Sequence, residues 1–285
     1  MKELHIYTYL YGEKFKEIFL RFCYPSMMQA GNIPKLISSG VQVKWYVYSN
    51  LDLVGLHPCC IYIPARPKTT ADCFLTRAFK CANMVIPMAV VAPDYIMGDN
   101  TLSNAVRLLE GRPDGCIAVA HPRIVWEKIT KTDLGASNMD MPNPRLVALA
   151  FEYGHDCLMK SFDNVVPNLT WAGIATRQIS DKLYSVIHNL ATPFICNLTT
   201  SDVKFFQNKH FGHFDRGFTK KLLSEGRVKL VGSSDVCFFV ELTSYIHAPA
   251  LRATCQEKPM LYNDKEMSKD GENHYNQFYV TWRKE

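Results

Sequence analysis

Met84-Val85-Ile86-Pro87-Met88-Ala89-Val90-Val91-Ala92-Pro93-Asp94-Tyr95-Ile96-Met97-Gly98-Asp99-Asn100-Thr101 is an apolar run that stops abruptly in acid, glycine, acid and amide. A strand buried on both faces of a parallel sheet reads as such a run, and ligands of open α/β sheets meet the carboxyl ends of the strands. The stretch therefore predicts a central strand over 85–91 that delivers Asp94 and Asp99 to that end. Carboxylates there suit a divalent cation, because hard cations take carboxylate oxygens and keep water in the remaining positions. The same residues have a plainer use, with Pro93-Asp94 opening a turn and Asp99 capping a helix that starts near Thr101. Both readings stand at this point.

Working outward towards the N-terminus, residues 4–10 are β-branched and aromatic enough for a first strand. Gly12 permits a tight turn after it. From Glu13 to about Gln29, Phe15, Ile18, Phe19 and Phe22 recur at helical spacing. Gly31-Asn32-Ile33-Pro34 breaks that helix and restarts a short one ending at Gly40. Residues 41–48 form a second strand, so the chain opens β-α-β, the unit of a parallel sheet. A short strand at 60–63 and a helix over 70–83 follow, with Phe74, Ala78 and Cys81 on its inward stripe. Beyond the quoted stretch come a helix over 101–110, stopped at Gly111-Arg112-Pro113, and a strand over 115–120 leading into His121-Pro122-Arg123. This alternation predicts an α/β fold with a mostly parallel central sheet flanked by helices.

The second half is less regular. Residues 130–145 are rich in turn formers and predict a loop, acting as a lid or an acceptor loop. A helix from Arg145 to Phe162, a strand at 183–187, a helix at 218–224, strands at 227–231 and 236–243 and a last strand at 277–282 complete the reading. The division is into a donor-side half, 1–125, and an acceptor-side half of the same domain, 126–285.

Of the 285 residues, 47% are hydrophobic and 21% charged, which suits one globular α/β domain. No apolar run reaches the roughly 18 residues of a membrane helix, and the first residues lead straight into a strand without a signal peptide. The ten cysteines include no C-x-x-C spacing, which excludes a zinc ribbon and a thioredoxin-type motif and fits reduced thiols in a cytoplasmic protein. The net charge of +5 permits an anionic partner, nucleic acid included. Its densest basic group, Arg216, Lys220, Lys221, Arg227 and Lys229, fits a solvated helix face as well as it fits DNA. The phosphate-loop, dinucleotide, zinc-protease and serine-hydrolase fingerprints are all absent.

The chain resembles the GT-A class of glycosyltransferases, and more narrowly a group of bacterial and phage glycosyltransferase-like proteins. The resemblance is carried by Thr8 with Gly12-Glu13 and Phe15, by Pro25-Ser26, by Gly31-Asn32-Ile33-Pro34, by Pro93-Asp94 with Gly98-Asp99, and by His188 with Pro193. It runs loosely over residues 1–243. It implies a Rossmann-related fold, a nucleotide-sugar donor and a divalent cation, Mn2+ or Mg2+. A GT-A enzyme has an Asp-x-Asp triplet at the metal, whereas the candidate here is Asp99-Asn100-Thr101, with a neutral amide and a hydroxyl after the first acid.

From the resemblance, Tyr9, Gly12 and Glu13 after the first strand, and Tyr48 and Asn50 at the end of the second, cradle the base and ribose of the donor, while Asp94 and Asn100 belong to the same nucleotide-sugar site. Arg77 reaches the diphosphate through its planar donor fork, or else is a solvent-facing helix residue. Asp99 is the catalytic carboxylate and binds the metal or the sugar hydroxyls. His188 is a metal or diphosphate ligand, or a histidine bonded to backbone. Asp202 and Asp235 are each either a base for the acceptor hydroxyl or a turn residue. His210, His213 and Asp215 form a dense cluster in which His213 and Asp215 alternate onto one strand face, though Phe205, Phe206, Phe211 and Phe214 around it favour apolar packing. Trp126 and Trp171 either stack on sugar or are buried.

Overall fold

A computed structural model of the chain describes residues 1–66, 69–132, 141–155, 158–159, 174–188, 192–209, 212–214, 216–244 and 278–285. In chain order the elements begin with β1 (Glu3–Leu10), α1 (Glu13–Ile18), a π-helical turn (Phe19–Cys23), α2 (Tyr24–Met27), α3 (Ile33–Ser38), β2 (Gln42–Ser49), β3 (Cys60–Pro64) and α4 (Thr70–Met84). Then come β4 (Met88–Val90), β5 (Tyr95–Met97), α5 (Thr101–Leu109), β6 (Cys116–Val119), β7 (Arg123–Val125), α6 (Trp126–Ile129) and α7 (Asn143–Tyr153). The remainder is β8 (Leu158–Met159), β9 (Ile174–Ser180), β10 (Leu183–His188), β11 (Thr192–Cys196), α8 (Thr200–Lys209), α9 (Arg216–Ser224), β12 (Val228–Leu230), β13 (Phe239–Thr243) and β14 (Phe278–Arg283).

Seven strands make the main sheet, in the order β12-β6-β11-β4-β1-β2-β3. β11 alone runs against its neighbours β4 and β6. The pairs β1–β2, β1–β4, β2–β3 and β6–β12 are parallel. The chain is therefore α/β with a mostly parallel central sheet, as its alternation predicts. From β1 it winds outward to β2 and β3, then returns to the other side of β1 with β4. That reversal makes the gap between β1 and β4 the switch point of the sheet.

Side-chain alternation gives the sheet two apolar faces. Leu4, Ile6 and Leu10 pack with Phe19, Trp45 and Leu102 on one face. Tyr7, Tyr46 and Tyr48 pack with Phe74 of α4 and Phe206 of α8 on the other. A small sheet, β5-β13-β7, and a four-stranded one, β14-β10-β9-β8, are built on this core.

Four differences from the sequence reading have physical reasons. The central strand shrinks from 85–91 to β4, because Val85 takes a left-handed conformation at φ 53° and ends α4. The helix expected over 13–29 contains a π-helical turn, because Pro25 has no N–H for the carbonyl four residues back. β11 carries Pro193 inside a sheet, at the register shift between Pro193 and Ile195, where a missing N–H is tolerated. α8 replaces the strand start read at Asp202. The expected loop 130–145 is described only at its ends. Residues 156–157 and 160–162 of the expected helix, Trp171, His210, Phe211 and Asp215 lie outside the described residues. His213 sits on a bend and is exposed, not on a strand.

Candidate functional site

Ligands of open α/β sheets bind outside the carboxyl ends of the strands at the switch point. Here that place is bounded by the end of β1, the end of β2 and the segment after β4. Thr8 fixes the three strands to one another: its hydroxyl donates to the Val91 carbonyl at 2.7 Å and accepts the Trp45 indole N–H at 2.9 Å. Just beyond, the Gly12 N–H donates to Asn50 Oδ1 at 3.2 Å, joining the two strand ends. Gly12 has φ 85°, a conformation glycine adopts without strain. Glu13 is exposed at the start of α1. The Tyr9 hydroxyl donates to the Arg66 carbonyl at 2.8 Å. Tyr9, Gly12, Glu13 and Asn50 thus lie along one edge of the sheet.

Tyr48 sits beside Tyr9 in the β1–β2 register, but its hydroxyl is taken by Arg77, which lies further back under α4. α4 starts at this edge, where the Thr70 carbonyl accepts the Tyr7 hydroxyl, and Arg77 lies seven residues further, about 10 Å along the helix. Its guanidinium sits 3.2 Å from the Tyr46 ring centroid and donates to the Tyr48 hydroxyl at 3.1 Å. The side chain is buried under the helix, and its Nε and Nη1 have no hydrogen-bond partner. Neither the diphosphate contact nor the solvent-facing alternative describes it.

Asp99 is half-buried and holds two chain segments together. Its Oδ1 accepts the Gly31 N–H at 2.8 Å, its Oδ2 accepts Asn100 Nδ2 at 2.7 Å, and its own N–H donates to the Met141 carbonyl. Ser26, Gly31, Asn32 and Gly98 meet Asp99 here. Asn32 caps α5 from outside, its Oδ1 accepting the Leu102 N–H at 2.9 Å, while its Nδ2 donates to the Ser26 and Gly98 carbonyls. Gln29 accepts the Met141 N–H and donates to the Met97 carbonyl. Asn100 is left-handed at φ 61° and accepts Lys35 Nζ at 2.7 Å. Both Asp99 oxygens already accept a bond within the chain, and the described residues include no group of three or more His, Cys, Asp or Glu arranged to hold a metal. The donor set does not fit the expected cation cage. His188 closes β10 opposite Ile174 and Phe278, and its side chain lies outside the described residues.

Asp94, at the end of the segment leaving β4, belongs to a second cluster on the other side of the switch point. β13 is pinned against two strand ends, with the Leu242 N–H donating to the Asp94 carbonyl and the Glu241 N–H to the Pro122 carbonyl. This places the Asp94 carboxyl in the field of Glu241. Burial, then the Glu241 charge, push Asp94 up to about 8. Burial works the same way on Glu241, but His121 and Arg123 outweigh it and hold that carboxylate below its usual range. Glu241 meets Arg123 at 2.9 Å and His121 at 3.5 Å. His121 stacks on Phe239 with centroids 4.4 Å apart. At neutral pH the pair thus holds one proton on Asp94 and one negative charge on Glu241. Two carboxyls driven apart in this way supply an acid and a base side by side. Sequence reading named Asp94 but missed Glu241, His121 and Arg123. His121-Pro122-Arg123 follows an apolar strand just as Pro93-Asp94 does, and that signal was available.

Asp202 and Asp235 are not brought to this place. Because β11 is antiparallel, its carboxyl end lies at the amino-terminal edge of the sheet, and Asp202 follows it there. Asp202 is fully buried. It accepts the Thr199 N–H at 2.8 Å, ion-pairs with Arg227 at 2.7 Å and takes Lys221 Nζ at 2.6 Å. Burial works to raise its pKa, and Arg227, Lys221 and the Thr199 N–H more than offset this. It has a helix cap and two cations in place of an acceptor hydroxyl. Asp235 is exposed and pairs with Arg283 at 2.9 Å. Trp126 is half-buried against Phe22, with centroids 6.0 Å apart. A cleft of about 840 Å³ lined by Lys2, Met84, Val85, Leu109 and Arg112 lies at the amino-terminal edge, away from the switch point.

No protein-family model matches the chain. No curated protein matches it either. Among solved structures it is similar to a Bacillus anthracis protein assigned as a glucose-1-phosphate thymidylyltransferase, in complex with a sucrose. The likeness covers 90% of this chain and 97% of that one, at 11% identity and a TM-score of 0.43.

Proposed function

We propose that this chain is a glycosyltransferase that moves a sugar from a nucleotide-sugar donor to a glycan, a small molecule or a modified DNA base. The observation that carries the reading is the reversal of strand order between β1 and β4, flanked by the Gly12–Asn50 contact on one side and Asp94 on the other. Donor base and ribose lie against Tyr9, Gly12, Glu13 and Asn50. The neutral Asp94 carboxyl faces the diphosphate side, where a second ionised acid would repel phosphate. Glu241, kept ionised by His121 and Arg123, takes the proton of the acceptor hydroxyl as that oxygen attacks the sugar carbon, whose bond to the diphosphate oxygen breaks and releases the nucleotide diphosphate. Positioning and charge placement account for most of the rate in such transfers. The net charge of +5 favours an anionic acceptor.

Asp99 favours a second reading, a protein that binds a nucleotide or sugar without turning it over. Its carboxylate is engaged by Gly31 and Asn100, and Thr101 stands where the second acid of the triplet would be. A panel of UDP-, GDP-, CMP- and dTDP-sugars, assayed for binding and for donor hydrolysis with and without Mn2+, separates the two. Binding with turnover that Glu241→Gln abolishes supports the transferase. Binding without turnover supports the second reading, and no binding of any donor sinks both.

A further inference from the structure

Cys116 and Cys196 are register partners across β6 and β11. Their sulfurs lie 2.9 Å apart, and both side chains are wholly buried. The adjoining couple, Gly115 and Asn197, is a hydrogen-bonded pair, since the Asn197 N–H donates to the Gly115 carbonyl at 2.9 Å. Antiparallel ladders alternate, so Cys116 and Cys196 form a non-hydrogen-bonded pair, the kind with Cα atoms about 4.5 Å apart and side chains closest. A disulfide takes Cα separations of about 4.4–6.8 Å. The backbone therefore holds this couple where a disulfide closes without moving either strand.

We propose that Cys116 and Cys196 are a thiol–disulfide couple, closed by a disulfide oxidant of the glutathione type. One cysteine, as its thiolate, attacks a sulfur of the oxidant, whose S–S bond breaks and releases one glutathione thiolate. The second cysteine loses its proton and attacks the protein-bound sulfur, and the other glutathione leaves. Two protein thiols are oxidised, the oxidant is reduced to two thiols, and the two protons go with them. Both sulfurs are shut from solvent and the Cys196 thiol is pushed well up by burial, so the exchange waits on local opening of the β6–β11 pair. Once closed, the bond spans 80 residues of chain and fixes the one antiparallel strand in the middle of the sheet. The couple lies at the amino-terminal edge and does not depend on the transfer reaction proposed above.

The test uses the full chain in glutathione buffers of graded oxidation, with urea below the unfolding transition. The sample is then acid-quenched, alkylated and peptide-mapped without reductant. The expected result is a Cys116–Cys196 cross-link, lost in Cys116→Ala and kept in a Cys59→Ser/Cys60→Ser variant, with Tm raised by roughly 5–10 °C. A maleimide control under the same urea shows that both sulfurs are reachable. Labelling of both without a cross-link at the most oxidising ratio overturns the proposal. So does a cross-link that lowers Tm.

Discussion

The Asp99 carboxylate accepts the Gly31 backbone N–H at 2.8 Å, across the junction where α3 begins and α5 starts. A side chain expected to reach for a donor is also a latch between two chain segments. Asp99→Ala removes the acceptor and leaves the N–H of buried Gly31 unsatisfied, at a cost of about 1–3 kcal/mol. Asp99→Asn keeps an oxygen for Gly31 and costs less. Gly31→Ala matches the larger loss, because a Cβ there would clash with Asp99 Oδ1 and with the Asn100 side chain. Urea unfolding of the three variants checks the order, and equal stability of Asp99→Ala and the parent contradicts it.

Asp94 gives the protein a pH signature. Its folded pKa, about 8, lies far above the usual value of 3.8. Stability from this group is full below the unfolded pKa and is lost as pH rises through the folded one. Asp94→Asn mimics the protonated form, so it leaves stability nearly unchanged at acid pH and raises it by roughly 1–3 kcal/mol above pH 8. Thermal melts from pH 5 to 9 read this out, and a pH-independent difference between the two proteins argues against it.

For Asp202 the sign is reversed. Its pKa is held low, so its contribution is present above the usual carboxylate range of about 4 and is lost as pH falls below it. Asp202→Asn leaves Arg227 and Lys221 short of a buried partner and costs about 3–5 kcal/mol near neutrality, less in acid. Any transfer activity per folded molecule stays at the parent level. A stable variant with activity abolished would restore Asp202 as the acceptor's base.

Val85 is a β-branched residue in the left-handed region and is largely exposed. Such a conformation costs an L-residue roughly 1–2 kcal/mol, which glycine avoids. Val85→Gly is expected to raise stability by about 1 kcal/mol or more, measured by denaturant midpoint. A lower midpoint would mean that the Val85 side chain contributes packing beyond what its exposure suggests.

Elements whose periodicity matched their environment were legible from residues alone. β1, β2, α4, α5 and β6 all bury one continuous stripe or run, and their limits fall within a few residues of the sequence reading. The failures have local causes. β5 is three residues between two acidic turns, too short for any period to register. α8 announces itself by Thr199-x-x-Asp202, a reciprocal cap in which the Thr199 N–H meets Asp202 Oδ2 and the Asp202 N–H meets Thr199 Oγ1. That pattern was present and was read as a turn. The Asp94 cluster was half legible: a strand-end acid shows in the sequence, but its coupling to Glu241, 147 positions further on, needs the return of β13 to the same edge.

The central claim is that the switch point between β1 and β4 is a nucleotide-sugar site. It is tested most directly by calorimetric titration of the chain with UDP-, GDP-, CMP- and dTDP-sugars, alongside Gly12→Val and Asn50→Ala. At least one donor is expected to bind, and both substitutions to weaken it at least tenfold, with Asn50→Ala melting normally and Gly12→Val losing roughly 1–2 kcal/mol to its left-handed backbone. Absence of binding by every donor, or binding that neither substitution disturbs, would contradict it.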